Sequence, residues 1–232
     1  MIAQNRYTSG QYLETNPTWH IEESPWKVRH ILPMLKRHHL MPKAICEVGC
    51  GAGEVLRLLQ ASMDEETTFW GYDISPQAIE MCRPKANERL HFKLADITQE
   101  QEGFFDLILV LDVIEHLEDY FRFLRDLKPK SHYKLFHIPL EISVQGVLRG
   151  KIFLRNRDIH GHLHSFTRET ALRAIEDIGY EVLDYSYCPE YELDTGLLQT
   201  KLMKLPRKLF FALHQDWAVR VLGGSRILIL AQ

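Results

Sequence analysis

Seven consecutive residues, Glu47-Val48-Gly49-Cys50-Gly51-Ala52-Gly53, place three glycines directly behind a carboxylate. Where a strand passes into a helix through glycines, the backbone turns tightly and a ligand can approach the main chain. Dinucleotide-binding turns look similar, but their third glycine falls three residues after the second, and here that position is Glu54. Glu47 would also oppose a pyrophosphate, whereas it suits a ligand with an amino group and a sulfonium. More carboxylates recur at later strand ends. Asp73 stands where an acid can accept hydrogen bonds from both ribose hydroxyls, Asp96 where it can accept from an exocyclic amine, and Asp112 at the carboxyl edge of the next strand. A lone Asp at a strand end is more often a cap or a turn former. Four acids behind one glycine loop read as a binding set.

Histidines supply the second kind of chemistry. His116 lies just past Asp112 and titrates near neutrality, so it is the candidate to accept a proton; the alternative is that it caps or packs the following helix. In His160-Gly161-His162-Leu163-His164 the alternating imidazoles would share one face of an extended chain. Such a face could suit zinc, but no nearby Cys or carboxylate pattern completes a site, and Asp158 offers only one further ligand. No metal is expected.

Positioning these residues requires alternating strands and helices. Ser24-Pro25 followed by Val28, Ile31, Leu32 and Leu35 has the pattern of a helix capped by Ser24. Ala44 to Val48 reads as a strand, Glu54 to Ala61 as a helix, Thr68 to Tyr72 as a strand, and Ser75-Pro76 caps a helix through Met81. Strands follow at Leu90 to Leu94 and Phe105 to Leu111, the latter so continuously apolar that both its faces must be buried. A helix over Leu117 to Leu127 and a strand over Tyr133 to Ile138 come next. Thr167 then caps a helix stopped by Gly179, and the last strands are Tyr180 to Tyr187 and Ile227 to Leu230. This alternation predicts an α/β fold with a doubly wound, mostly parallel sheet and helices on both faces. One domain spans residues 1–232, with an N-terminal helical cap over 1–43 and insertions over 141–165 and 189–225.

Composition agrees with a globular chain: 45% hydrophobic and 25% charged residues. No apolar run approaches a membrane span, no signal pattern opens the sequence, and the four cysteines lack paired spacing, so free thiols and a cytoplasmic location are expected. Basic residues concentrate over 128–158 and 195–232, against a net charge of −3. In the second insertion, Leu197, Leu198, Leu202, Met203, Leu205, Leu209, Phe210, Phe211 and Leu213 interleave with Lys201, Lys204, Arg207 and Lys208, interrupted at Pro206. That pattern fits a lid over the substrate, a weak contact with an anionic membrane surface, or plain packing.

Taken together, these motifs resemble the class I S-adenosylmethionine-dependent methyltransferases, particularly the small-molecule group that includes quinone-biosynthesis enzymes. Glu47 to Gly53 resembles the family's first motif, Gly71-Tyr72-Asp73-Ile74-Ser75 its ribose-binding motif, and Leu94-Ala95-Asp96-Ile97 its adenine-binding segment. Phe105 to Leu117, with Asp112-Val113-Ile114-Glu115-His116-Leu117, is similar to its fourth-strand motif. The resemblance implies a Rossmann-like sheet of seven strands, the last, Arg226 to Ala231, inserted antiparallel. It implies S-adenosylmethionine as cofactor and S-adenosylhomocysteine as product, with Glu47, Gly49, Cys50, Gly51, Gly53, Asp73, Ile74, Asp96, Ile97, Leu111 and Asp112 as contacts. An N-terminal helix commonly closes over the cofactor in this family, which marks Trp26 and Lys27, and a His-containing loop often walls the active site, which marks His162 and His164. The expected partner is a small apolar or aromatic acceptor. Nucleic acid is disfavoured, because Asp112-Val113 stands where a base-amine enzyme would carry an Asn-Pro-Pro-Tyr-like motif. Two alternatives stay open: a nicotinamide-dependent oxidoreductase, and a module that binds S-adenosylmethionine without turnover.

Overall fold

The apolar run Phe105–Leu111 forms the strand at the centre of a seven-stranded sheet, and its residues alternate between two separate hydrophobic layers. Ile108 and Val110 face one layer, Leu107, Leu109 and Leu111 the other. The computed structural model describes residues 2–100, 103–193 and 198–232. Its strands are β1 (Ala44–Val48), β2 (Thr68–Asp73), β3 (Leu90–Leu94), β4 (Phe105–Leu111), β5 (Ser131–Pro139), β6 (Val182–Pro189) and β7 (Ser225–Ala231). They lie in the order β3-β2-β1-β4-β5-β7-β6, parallel except for β7, which runs antiparallel to both neighbours. This is the expected sheet, including its reversed strand. The order reverses between β1 and β4, and open α/β sheets bind ligands at the carboxyl edge of such a switch point.

Helices α1 (Ile2–Thr8), α2 (Gln11–Thr15) and α3 (Ser24–Arg37) precede the sheet. Between strands lie α4 (Glu54–Ser62), α5 (Pro76–Cys82) and α6 (Tyr120–Leu127), followed by α7 (Val144–Arg149), α8 (Ile152–Ile159) and α9 (Arg168–Glu176). Helices α10 (Leu198–Leu213) and α11 (Gln215–Leu222) separate β6 from β7. Apolar stripes of α3 and α4, including Ile31, Leu35, Leu56 and Leu59, bury against one face of the sheet; Leu124, Leu127 and Ile175 of α6 and α9 bury against the other. Each such side chain withdraws apolar surface worth ~1.5–3 kcal/mol.

The capping signals are realised at two of three places. The Ser75 hydroxyl accepts from the Ala78 amide and starts α5, and Thr167 forms a reciprocal capping box with Thr170 at α9. Ser24, expected as a cap, is instead the first helical residue of α3 and is buried, with Glu23 at the cap position. The Glu23 carboxylate makes no capping bond because it is engaged by Arg226. The helix expected from Leu117 begins at Tyr120, capped by Asp119, after a short 3-10 turn over Ile114–His116. Both insertions are helical, and α10 continues through Pro206 rather than breaking there. Leu197 lies outside the described residues. Cys46, Cys50, Cys82 and Cys188 are all free and buried. Among the described residues, no helix is long and apolar enough to cross a membrane.

The glycine loop approaches β3 and α5 closely because Gly53 has no side chain. Gly53 holds φ at +71°, and an added Cβ would lie 2.5 Å from the Phe92 ring and 2.9 Å from the Cys82 sulfur. Gly53→Ala therefore combines left-handed strain with overpacking and is expected to cost about 2–4 kcal/mol, read as a lower urea midpoint with unchanged m-value.

Candidate active site

At the carboxyl edge of β1, Glu47 pairs in register between Gly71 of β2 and Leu109 of β4. The chain then turns through Gly49, Gly51 and Gly53 at φ of +67°, +52° and +71°. This loop opens onto a cavity of about 840 Å³ bounded by the sheet edge, the N-terminal segment and both insertions. Asp73 ends β2 and accepts from the Gly51 amide at 2.9 Å and the Ser75 amide at 2.8 Å. Burial outweighs those bonds and raises its pKa to about 6. Glu47 is also buried, and its Oε2 has no hydrogen-bond partner. Desolvation pushes Glu47 up to about 8, against a smaller opposing pull from Lys27.

An unpartnered buried carboxyl beside a bare glycine loop is a defect in an apo protein and a fitting seat for an amino group. With Asp73 close by to accept from hydroxyls, the residues fit a nucleoside that carries an ammonium-bearing tail. Glu47, Gly49, Cys50, Gly51, Asp73, Ile74, Leu111 and Asp112 all line the cavity. Three other expected contacts lie outside its walls. Gly53 faces Phe92 and Cys82, Asp96 caps the turn over Ile97–Gln99 by accepting from Thr98, and Ile97 is buried in the core.

Asp112 adopts φ +56°, a left-handed conformation that costs a non-glycine residue about 1–2 kcal/mol. Its carboxylate is held by Lys27 at 2.7 Å, Arg226 at 3.0 Å and the Nδ1 of His137 at 2.9 Å. Desolvation opposes the charge, but Arg226, Lys27 and His137 outweigh it and keep Asp112 well below the ordinary carboxylate range. Arg226 also grips Glu23 through both amino nitrogens, at 2.7 and 3.1 Å. It stands near the start of β7, so only the reversal of that strand brings it to the edge occupied by Asp112.

The N-terminal segment forms the cavity's aromatic wall. Tyr7 and Tyr12 have ring centroids 4.9 Å apart, and Tyr12 and Trp19 4.8 Å. Arg6 ties α1 to the end of α8 by donating to the carbonyls of Asp158 at 2.9 Å and Ile159 at 2.7 Å. Of the pair marked on α3, Lys27 points to the cavity, and Trp26 does not. Trp26 is 2% exposed, packs edge-on against His30 and His137, and donates to Glu192 at 3.1 Å. Ser24 and Lys27, three residues apart, share the cavity face, which turns Trp26 into the core.

The histidines divide in the same way. His116, His160 and His162 line the cavity. His164 does not, because the amides of Leu163 and His164 both donate to the Glu115 carbonyl and bend the loop; its Nε2 meets the Leu117 carbonyl at 2.9 Å and its ring packs on Tyr120. Burial lowers His116 to about 3, which keeps the ring neutral but makes it a weak base. Glu115, not anticipated as a site residue, is fully buried beside it with both carboxyl oxygens unpartnered, and desolvation raises it to about 8. Its position within the Glu115-His116-Leu117 run was the available signal. Lys27 is marked by the sequence as a candidate cofactor contact but not as a partner of Asp112, and Arg226 only as the start of the last strand; the reversed strand gives Arg226 its meaning.

Glu47 and Asp73 make stability and binding depend on pH. Their folded pKa values, about 8 and about 6, lie above those of the unfolded chain, so the folded state holds more protons in between. The stabilising protons are fully present below about pH 4 and are lost as pH rises through those folded values. The apo protein's melting temperature is therefore expected to fall between pH 4.5 and 8, and Glu47→Gln to flatten that slope. Calorimetry of S-adenosylhomocysteine binding near pH 7 in buffers of different ionisation enthalpy is expected to register proton release, absent in Glu47→Gln. A binding enthalpy that ignores the buffer would refute the role given to Glu47.

The sequence matches the family described as a methyltransferase domain over residues 20–185. Among solved structures, the fold is similar to magnesium protoporphyrin IX methyltransferase from Synechocystis PCC 6803 with bound S-adenosylhomocysteine. That match has a TM-score of 0.61 at 16% identity and covers 92% of this chain and 85% of that one. It is similar also to the N-methyltransferase NodS from Bradyrhizobium japonicum WM9 in complex with S-adenosylhomocysteine, with a TM-score of 0.56 at 16% identity over 92% of this chain and 90% of that one. The glycine loop, the unpartnered Glu47 and the match over most of its length place the chain in the methyltransferase domain family, as an enzyme whose cofactor is S-adenosylmethionine.

Proposed function

We propose that this methyltransferase acts on a small aromatic acceptor that carries an acidic group. The observation that carries this reading is that Arg149, Arg155 and Arg207 from the two insertions all line the cavity, the first two exposed and Arg207 partly buried. Among the described residues, none of the three forms an ion pair with a carboxylate. Burial lowers the Arg207 pKa, with Glu190 opposing the shift less strongly, and its Nε has no partner. A carboxylate or phosphate on the acceptor would supply the missing counter-charge, while Tyr7, Tyr12 and Trp19 offer flat apolar surfaces for its ring.

The cofactor, when bound, supplies a methyl group on a sulfonium that is already a good leaving group. This chain's residues then have to hold the acceptor in line with that carbon and keep water away, and orientation alone is worth up to ~7–11 kcal/mol. His116 is proposed as the group beside the reacting atom. Its Nδ1 lies 3.3 Å from the Gly161 carbonyl, so Nδ1 carries the proton and Nε2 is left to accept a hydrogen bond from the acceptor. With its pKa near 3, it orients a nucleophile better than it removes a proton.

Transfer of a labelled methyl group across a panel of aromatic acids and their uncharged amides tests the reading. Acids are expected to be preferred, with Arg207→Ala raising KM for the acid by about 10–100-fold and leaving S-adenosylhomocysteine affinity in place. Preference for the amides would overturn it.

A membrane-surface contact of the second insertion has one observation in its favour. Leu205, Leu209 and Leu213, four residues apart on α10, are 63%, 59% and 84% exposed, with Lys204 and Lys208 flanking them. Flotation with anionic vesicles is expected to carry the protein, and Leu209→Glu to abolish this; equal recovery with neutral vesicles would argue against it.

A further inference from the structure

Three side chains that the sequence keeps apart meet in the cavity wall. Glu115 and His116 come from the turn after β4, and His162 from the loop after α8. One donor atom from each lies within 4.8 Å of the others. The expectation that no metal binds rested on the lack of a carboxylate near the histidine loop. The fold supplies that carboxylate from Glu115, whose own carbonyl pins the loop through the Leu163 and His164 amides at 2.7 and 3.1 Å.

The hydrogen bonds fix the state of both imidazoles. His116 faces the Gly161 carbonyl through Nδ1, and His162 faces the Glu141 carboxylate through Nδ1 at 2.6 Å. A carbonyl and a carboxylate oxygen only accept, so each Nδ1 donates and each ring is left with Nε2 for another partner. Glu141 is held in turn by Asn156 at 2.5 Å and Ser165 at 2.6 Å. A ligating histidine commonly has its second nitrogen anchored on such a carboxylate. The two rings lie edge to face with centroids 4.8 Å apart, and Glu115 beside them is fully buried, with neither of its oxygens reaching a hydrogen-bond donor. A protonated carboxyl could have bonded an imidazole directly. The spacing instead leaves three electron-pair donors within 4.8 Å of one another, with no hydrogen-bond donor reaching the Glu115 oxygens.

We propose that Glu115, His116 and His162 bind a divalent first-row transition cation through one carboxylate oxygen and two Nε2 atoms. Two histidines and one carboxylate form a recurrent ligand set for such ions, with the remaining positions open to substrate. Bonds of about 2.0–2.2 Å require only that the widest donor pair draw in by about 1–2 Å. The open positions face the cavity that the acceptor occupies under the reading above, and the proposal's catalytic role rests on that reading; with the ion bound, the Nε2 of His116 is a ligand and positions the acceptor's oxygen through the ion instead of by a direct hydrogen bond. A hydroxyl of the acceptor held there becomes more acidic. It releases its proton to solvent, the oxygen's electron pair forms the bond to the methyl carbon, and the sulfur keeps the pair of the broken bond.

Cobalt(II) makes the site visible. Chelator-treated wild-type protein, titrated with Co²⁺ and followed by calorimetry and visible absorption, is expected to bind one ion per chain with a d–d spectrum perturbed by imidazole ligands. His162→Ala and Glu115→Gln are each expected to weaken binding by about tenfold or more, and Glu141→Gln by about 10–100-fold. Should Glu115→Gln fail to fold, as judged by circular dichroism, His162→Ala decides the matter. No Co²⁺ or Zn²⁺ uptake by wild type, or uptake unchanged in His162→Ala, overturns the proposal. Transfer of a labelled methyl group to the aromatic acids and their amides is measured separately on the same wild-type sample. Preference for the amides would count against the acceptor reading alone, and absence of Co²⁺ binding against the metal site alone.

Discussion

The site depends on how the Asp112 carboxylate is neutralised. It lies at the switch point of the sheet, in a strained backbone conformation, withdrawn from water and held by Lys27, Arg226 and His137. Those partners come from α3, β7 and β5, and Arg226 recruits Glu23 from the turn before α3. Desolvation opposes each of these charges, and removing one partner would strand the others in a poorly solvated place. The network therefore acts as a joint: it fixes the N-terminal segment to the sheet edge, and that segment carries the aromatic wall. Trp26 belongs to this joint, since its ring lies 5.3 Å from the Arg226 guanidinium.

Two kinds of buried carboxyl sit within this small volume. Asp112 is compensated and ionised, whereas Glu47 and Glu115 have no direct ion-pair partner, feel only weaker opposing pulls, and are raised to about 8. The difference is one of neighbours, since desolvation leads the causes for all three. Compensated groups hold structure together; uncompensated ones are where a ligand can contribute binding energy. The two weakly compensated carboxyls also mark the two proposed binding roles, with Glu47 at the glycine loop and Glu115 among the histidines.

Local signals made the sheet legible. The apolar run Phe105–Leu111 coincides with its strand to the residue, because burial on both faces leaves no ambiguity of period; Leu90–Leu94 does so too, although it is an edge strand with Lys93 and Leu94 exposed. The glycine loop and the acids at the ends of β1, β2 and β4 were readable for the same reason: spacing along the chain fixes their place at the edge. What could not be read depended on contacts between distant segments. Trp26 and Lys27 are adjacent, and only the packed orientation of α3 decides which one meets the cavity. Pro206 signals a break when read alone, yet α10 runs through it. His162 and Glu115 are separated by 46 intervening residues, so no window along the chain could have shown them as neighbours.

The reversed strand also has a consequence for synthesis. β6 has no partner in the sheet except β7, and β5 meets nothing on its outer side until β7 arrives between them. As the chain leaves the ribosome, five parallel strands can assemble in an order compatible with their emergence, but β6 must wait, unpaired, while α10 and α11 are still being made. Arg226 arrives with β7. The closing of the sheet and the neutralising of Asp112 are thus a single late event, and a nascent chain stalled before that point would expose two strand edges and an incompletely balanced carboxylate to whatever surrounds it.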